Sequence, residues 1–348
     1  MPGLIDMHAH QGSEFGEALG RLWLSWGVTS TRDPSSNPYD GLNRREAHES
    51  GLRSGARIFF TGSPIDGNRI YYAGMNAQQS PAQLELELER VRKLDYDLIK
   101  TYVRLPDALQ KRVVSFAHEI GIPVTSHELY PAVSYGGDGF EHIRGTSRRG
   151  YSPKVSNTSR TYGDVISLLG ATNMTMTPTA ALHGGIAVLL ARDLSVLDDR
   201  RLREIDNPIF SMMARRRATG AKNNADVWNK IFGNIASTVK NVTDAGGNVV
   251  AGTDSPIIPY GFSLHIELEC YVEGGLTPFQ ALQTATINAA RSLGVEDDLG
   301  TIEAGKLADI VIVSGNPLKD IRNTRKVQTV VQNGQVFEFE SLFQKPVR

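Results

Sequence analysis

Short apolar runs alternate with longer stretches of helical period along most of the chain. Eight of these runs read as strands: Gly3–Met7, Val28–Arg32, Arg57–Thr61, Asp97–Thr101, Ile122–Ser126, Gly139–Ile143, Thr172–Thr177 and Asn248–Gly252. Helical pattern fills most of the gaps. Ser80-Pro81 opens one helix, with Ser as N-cap, Pro at the first helical position and Gln83 completing a capping box. Leu84, Leu88, Val91 and Leu94 then recur every three or four residues and form one apolar face. Thr277-Pro278 repeats the cap ahead of Phe279, Ala281, Leu282 and Ala285. Eight strands separated by helices imply an α/β fold of the (β/α)8, TIM-type barrel class. A doubly wound open sheet is the alternative that the pattern leaves open.

Two regions break the repeat. Residues 144–163 are polar and rich in Ser, Thr and Arg, the composition of a lid, a binding segment or a disordered loop. Residues 182–244 form a long, mostly helical insertion between strands seven and eight. After about residue 300 the style changes once more. Leu307–Val313, Val327–Gln332 and Gln335–Phe339 read as short strands, with an Asn333-Gly334 hairpin turn between the last two. The expected division is a barrel over 1–300 and a small β appendix, part of a β-sandwich, over 301–348.

Composition narrows the function classes. The 37 basic and 38 acidic residues leave a net charge of −1, which gives no electrostatic case for nucleic acid or an anionic membrane as partner. The single cysteine, Cys270, excludes an intrachain disulfide and a cysteine metal cage, and reads as a packed thiol on a helix. No run approaches the roughly 18 apolar residues of a membrane span, and no signal peptide is read at the start. The compartment stays open. The expected partner is a small molecule, with a homo-oligomer also considered.

Strand C-terminal ends carry the active site in a barrel of this class. Strand one ends in His8-Ala9-His10, and residues i and i+2 of a strand share a face. Strand four carries Lys100 among apolar neighbours, strand five ends at His127, strand six at His142 and strand eight at Asp254. Each has an ordinary reading: a satisfied core histidine, a helix cap, a snorkelling lysine. Their joint placement at five strand ends is harder to explain that way. Tyr102, Tyr130 and His183 lie close enough to strand ends to contact a substrate or simply to line a rim. Arg144, Arg148 and Arg149 are candidates to capture a substrate carboxylate, Arg32 and Asp33 read as an ion pair holding the barrel, His265 as structural, and His48 and His118 as surface residues.

Taken in order, these positions resemble the amidohydrolase superfamily of metal-dependent hydrolases in its binuclear form. The stretch LTPFQALQTATINAARSLGVEDDLGTIEAGKLADIVIVSGNPL is similar to the segment that follows the barrel in imidazolonepropionase-like and prolidase-like members. The resemblance implies two divalent ions, Zn foremost and Mn, Co or Fe also compatible with such ligands. It implies one ion on His8, His10 and Asp254, and the other on His127 and His142. No further carboxylate is read at a strand end to bridge them, so the resemblance assigns the bridge to Lys100 carboxylated by CO2. Attack of the bridging hydroxide on a C–N amide bond, in a dipeptide-like or N-acyl substrate, follows, with Asp254 as base and then acid. An esterase, lactonase or phosphotriesterase on the same site, or an inactive barrel kept as a binding module, are the alternatives. A mononuclear deaminase has no need of the Lys100 bridge. Family members also carry strands ahead of His-x-His that complete the appendix, so its strands here are expected to have open edges.

Overall fold

The computed structural model describes residues 1–12, 15–145 and 154–344. Arg148 and Arg149 lie outside them. Its strands are β1 (Leu4–Asp6), β2 (Val28–Asp33), β3 (Arg57–Phe60), β4 (Ile65–Gly67), β5 (Asn76–Gln78), β6 (Ile99–Thr101), β7 (Val124–Ser126), β8 (Gly139–Glu141), β9 (Thr175–Thr177), β10 (Ile310–Val313), β11 (Val327–Gln332) and β12 (Gln335–Glu338). The helices are α1 (Glu17–Ser25), α2 (Pro38–Glu49), α3 (Pro81–Lys93), α4 (Asp107–Glu119), α5 (Gly163–Ala171), α6 (Ile186–Arg192), α7 (Arg200–Glu204), α8 (Pro208–Asn223), α9 (Ala225–Asp244), α10 (Phe262–Glu273), α11 (Pro278–Thr284) and α12 (Ile287–Leu293).

Two all-parallel sheets, in the orders β1-β2-β3 and β5-β4-β6-β7-β8-β9, make this an α/β fold. Parallel sheets form when helical crossovers return the chain to the same end of the next strand, which the alternating pattern supplies. Hydrogen bonds join the two sheets on both sides. Asp97, just before β6, donates its N–H to the Phe60 carbonyl and accepts the Phe60 N–H on its side chain. On the other side, isolated parallel bridges pair Met176 with Val249 and Ala9 with Ser255.

Seven of the eight expected strands are present, most of them shorter than expected. The eighth, Asn248–Gly252, forms no continuous ladder. Its polar groups are divided: the Asn248 carbonyl and Val250 N–H both bond Met176, but Ala251 N–H bonds Thr284 and the Ala251 carbonyl accepts Met7 N–H, so the pairing with Met176 goes no further. The short strands β4 and β5 escaped the sequence reading because Asp66, Gly67, Asn76 and Gln78 give them no apolar alternation.

Helices pack one stripe against the sheets. In α3 the buried positions are Leu84, Glu87, Leu88 and Val91; in α9 they include Phe232, Ile235, Val239 and Val242. Each fully buried aliphatic side chain of this kind contributes about 1.5–3 kcal/mol. The capping box before α11 is complete, with Thr277 and Gln280 bonding reciprocally. Before α3 it is half made: Ser80 accepts the Gln83 N–H, but the Gln83 side chain turns to Gln79 N–H and the Ala77 carbonyl. Cys270 is buried on α10, as expected.

The insertion after β9 folds as helices α6 to α9. Past the parallel sheets, β10-β11-β12 form an antiparallel sheet whose last hairpin turns at Asn333 (φ 49°) and Gly334 (φ 79°). The positive φ at both positions explains the Asn-Gly pair. The expected open edge is corrected on one side: Pro2 bridges Ile310, and Val311 N–H bonds the Met1 carbonyl. Among the described residues no helix is long and apolar enough to cross a membrane.

Candidate metal centre

The exits of β1, β6, β7 and β8 and the segment after Asn248 deliver their side chains to one place. His8, His10 and Asp254 bring one donor atom each to within 4.8 Å of one another. Asp254 Oδ1 lies 3.1 Å from His10 Nε2 and 3.4 Å from His8 Nε2, and its Oδ2 lies 3.7 Å from His142 Nε2. The His142 ring packs 4.4 Å from His8 and 4.8 Å from His127, centre to centre. Lys100 is buried on β6, close enough to Glu141 and Asp254 to feel both charges.

The far nitrogen of each ring settles which way its lone pair points. His8 Nδ1 is 2.6 Å from the Glu141 carboxylate, which only accepts, so Nδ1 carries the proton. Its Nε2 is buried and has no hydrogen-bond partner. His10 Nδ1 faces the Ser35 carbonyl at 3.4 Å and Asp33 Oδ1 at 3.5 Å, both acceptors. His142 Nδ1 is 2.8 Å from Thr179 Oγ1, a hydroxyl already donating to the Pro178 carbonyl. Neutral His8, His10 and His142 therefore all aim Nε2 lone pairs at a carboxylate. Acceptors facing acceptors in a buried space is unfavourable without a cation between them. The donor set thus fits a divalent metal. Without one a proton substitutes: desolvation opposes charge on His10, but hydrogen bonds to Asp254 and Asp33 outweigh it and push its pKa up to about 10.

The surrounding electrostatics keep the carboxylates ionised. Burial raises Asp254, yet His142 and His8 more than offset it and hold it well below the usual carboxylate range. Burial raises Glu141 as well, and Arg32 and His8 reverse the effect. Lys100 moves the other way: desolvation, partly countered by Glu141 and Asp254, lowers it to about 8.

Backbone geometry is specialised at these exits. His142 and Asp254 both sit at φ 62°, in the left-handed region, at a cost of about 1–3 kcal/mol each for non-glycine residues. Gly252 lets its segment approach β1, because a Cβ there would lie 2.8 Å from His8 Cβ. A Cβ on Gly145 would lie 2.8 Å from the His127 ring.

The substrate-contact candidates separate. Tyr102 is buried with its ring 4.5 Å from His127. His183, in a π-helical turn after β9, lies edge-on 5.9 Å from His142, its Nε2 buried and without a hydrogen-bond partner; burial lowers its pKa to about 4. Tyr130 is 53% exposed in the segment after β7, and Arg144 is exposed. His265 is structural, as expected. His118 is partly exposed, while His48 bonds the Gly55 carbonyl and Gln332.

Two expectations are corrected. A further carboxylate does end a strand: Glu141 is fully buried and accepts from Thr125, from Arg32 at 2.5 Å and from His8. Nothing in the period-two pattern points to it, because neighbours on a strand face opposite ways and Glu141 and His142 are not expected to share a face. The left-handed His142 breaks that alternation and turns both inward. Arg32 and Asp33 form no ion pair with one another; Arg32 serves Glu141 and Asp33 faces His10.

Comparison with known proteins places the family and the fold. The profile described as "Amidohydrolase family" matches residues 1–337. An imidazolonepropionase from Symbiobacterium thermophilum is 40% identical over 78 residues, 22% of this chain and 18% of that protein. A 5-methylthioadenosine/S-adenosylhomocysteine deaminase from Moorella thermoacetica is 27% identical over 221 residues, 56% of this chain and 51% of that one. The chain thus spans about half or less of the length of these curated relatives. The crystal structure of a Xaa-Pro dipeptidase with bound methionine superposes with a TM-score of 0.71 at 23% identity, covering 97% of this chain and 86% of the other.

Proposed function

The chain belongs to the amidohydrolase family, and from that premise we propose that it is a metal-dependent hydrolase cleaving the C–N bond of a small dipeptide-like or N-acyl amide. We take the parallel strands and the Asn248 segment as one closed (β/α)8 barrel over residues 1–300, with 301–348 as a β appendix. The observation that carries the reading is the convergence of His8, His10 and Asp254, with the buried His8 Nε2 aimed at the Asp254 carboxylate.

His8, His10 and Asp254 would hold one divalent ion and His127 and His142 a second, with Lys100 between them as a carbamate. Two such ions supply Lewis-acid polarisation of a carbonyl and a water acidified toward pH 7. The remaining work belongs to side chains. Lys100 must be neutral to add CO2 and lose a proton, and its pKa of about 8 leaves a usable neutral fraction. Glu141 fixes His8 in the tautomer that offers Nε2. Asp254, ionised and in reach of three imidazoles, accepts the proton of the attacking water and returns it to the leaving nitrogen. Tyr102, Tyr130 and His183 contact the substrate, His183 as a neutral ring. Lys100, buried beside the histidines with its pKa lowered to about 8, favours this over a mononuclear deaminase site.

The test is metal content per chain by elemental analysis, on protein prepared with bicarbonate and no chelator, followed by an amide and ester panel. About two ions per chain, falling in Lys100→Ala, with metal-dependent amide turnover, is the expected result. No bound ion and no rescue by added Zn or Mn overturns it. Turnover of esters alone moves the assignment to an esterase or lactonase.

A further inference from the structure

The loop between β4 and β5 builds a surface that the proposed chemistry does not use. Asp66 is fully buried and staples the loop to the exit of β6: Oδ1 accepts Arg104 N–H at 2.7 Å and Oδ2 accepts Tyr71 N–H at 2.9 Å. Arg104 returns the connection. Its Nη1 donates to the Arg69 and Ile70 carbonyls at 3.2 and 2.8 Å, and its guanidinium lies 5.0 Å from the Tyr71 ring centre. Gly67 is required there, because a Cβ would sit 2.1 Å from the Arg104 carbonyl oxygen.

The pinned loop presents two aromatic rings in series with the candidate metal centre. Tyr71 and Tyr72 pack edge to face at 4.6 Å, and lie 5.7 and 5.8 Å from Tyr102. Tyr102 in turn lies 4.5 Å from His127. Exposure rises outward along this path, from 5% at Tyr102 to 38% at Tyr71 and 54% at Tyr72. Two large rings held half open by a hydrogen-bonded backbone forgo burial that a relaxed loop would gain. A rigid, preformed aromatic face of this kind suits a planar apolar ligand, whose ring adds another offset or edge contact to the series.

We infer that Tyr71, Tyr72 and Tyr102 form the side-chain subsite of the hydrolase, and that its preferred amides carry an aromatic group beside the scissile bond. This rests on the amide-hydrolase reading for the position of the scissile bond. The subsite explains why the loop interrupts the strand-helix repeat: its polar residues brace a platform, while its apolar area faces the substrate.

The experiment compares kcat/KM of the metal-loaded protein on Ala-Phe, Phe-Ala and Ala-Ala. The better aromatic dipeptide is expected to exceed Ala-Ala by about tenfold or more, and Tyr71→Ala/Tyr72→Ala to bring the ratio within about twofold. Both side chains are exposed, so the double variant keeps the fold; its unfolding midpoint checks this. Equal turnover of all three peptides by the unmodified chain, or a preference that survives in the double variant, overturns the subsite. If no amide is turned over, the hydrolase reading fails separately, and calorimetric binding of N-acetylphenylalanine against N-acetylalanine decides the subsite alone. Tighter aromatic binding lost in the double variant supports it, and equal binding overturns it.

Discussion

His8 and His265 are equally inaccessible, at 0% and 1% exposure, yet the fold treats them in opposite ways. His265, on α10, has both nitrogens satisfied. Its Nε2–H donates to the Trp26 carbonyl at 2.9 Å, and its Nδ1 is 2.8 Å from the Thr324 hydroxyl, which shares its hydrogen between this nitrogen and the Ile321 carbonyl at 2.7 Å, in the turn ahead of β11. It fastens α10 to the turn between α1 and β2 and to the turn between β10 and β11, beside Arg201, which stacks on Trp26 at 3.3 Å. His8 has one nitrogen committed to Glu141 and the other facing Asp254 with no hydrogen. The difference teaches what separates a candidate ligand from a core histidine: the unspent lone pair, rather than burial, singles out His8.

The largest expected effect breaks the His8 side. His8→Asn should cut kcat/KM on a confirmed amide by about a thousandfold or more, with the bound-metal count falling in parallel. Its cost in stability of the metal-free chain should be only about 1–2 kcal/mol, because one member of a mutually repelling acceptor set is removed. A His8→Asn protein that keeps full metal and activity sinks the distinction. Glu141→Gln acts one step back. It should weaken metal binding by about 10–100-fold and cost about 3–5 kcal/mol by stranding buried Arg32. Metal affinity by chelator competition and urea unfolding read the two effects independently.

The His265 side predicts the reverse pattern. His265→Ala should cost about 2–4 kcal/mol, from a small cavity and unpaired partners at Trp26 and Thr324. Metal per folded chain should not change. If metal is lost with the fold intact, the two regions are coupled and the comparison fails.

How far the sequence spoke for each region follows from the same physics. His8, His10, Lys100, His127, His142 and Asp254 were legible as one group because each follows or ends a short apolar run, although the run before Asp254 forms no strand. Glu141 was not, since its inward turn depends on a left-handed His142 that no period-two pattern predicts. The loop with Tyr71 and Tyr72 was silent for a related reason: its stability comes from Asp66 and Arg104 bonding backbone far along the chain. The structural role of His265 was expected from its helical run. Its partners lie 239 and 59 residues away, and only the fold brings them together. The eighth expected strand, over 248–252, does not form as one, because its hydrogen bonds are shared among several elements.

The smallest expected effect is a pH slope. Desolvation, joined by the positive charges of Arg325 and Arg201, holds His265 well below its ordinary value of 6.5. The unfolded chain therefore takes up a proton at His265 as pH falls through about 6.5, where the folded chain does not. More protons bound in the unfolded state means that stability rises with pH in this window. The stability from neutral His265 is fully present above about pH 6.5 and is lost as pH falls toward the folded value. The metal-free chain should lose about 1.4 kcal/mol per pH unit to this group between roughly pH 6 and 5, and His265→Asn should lack that share of the slope. All other groups are common to both proteins and cancel in the difference. Saturating metal should change the acid sensitivity contributed by His10, because proton and cation compete for the same lone pair. It should leave the His265 difference untouched, since no lone pair there is free. Equal slopes with and without His265, measured by urea unfolding across this range, would show that its burial does not depress its proton affinity.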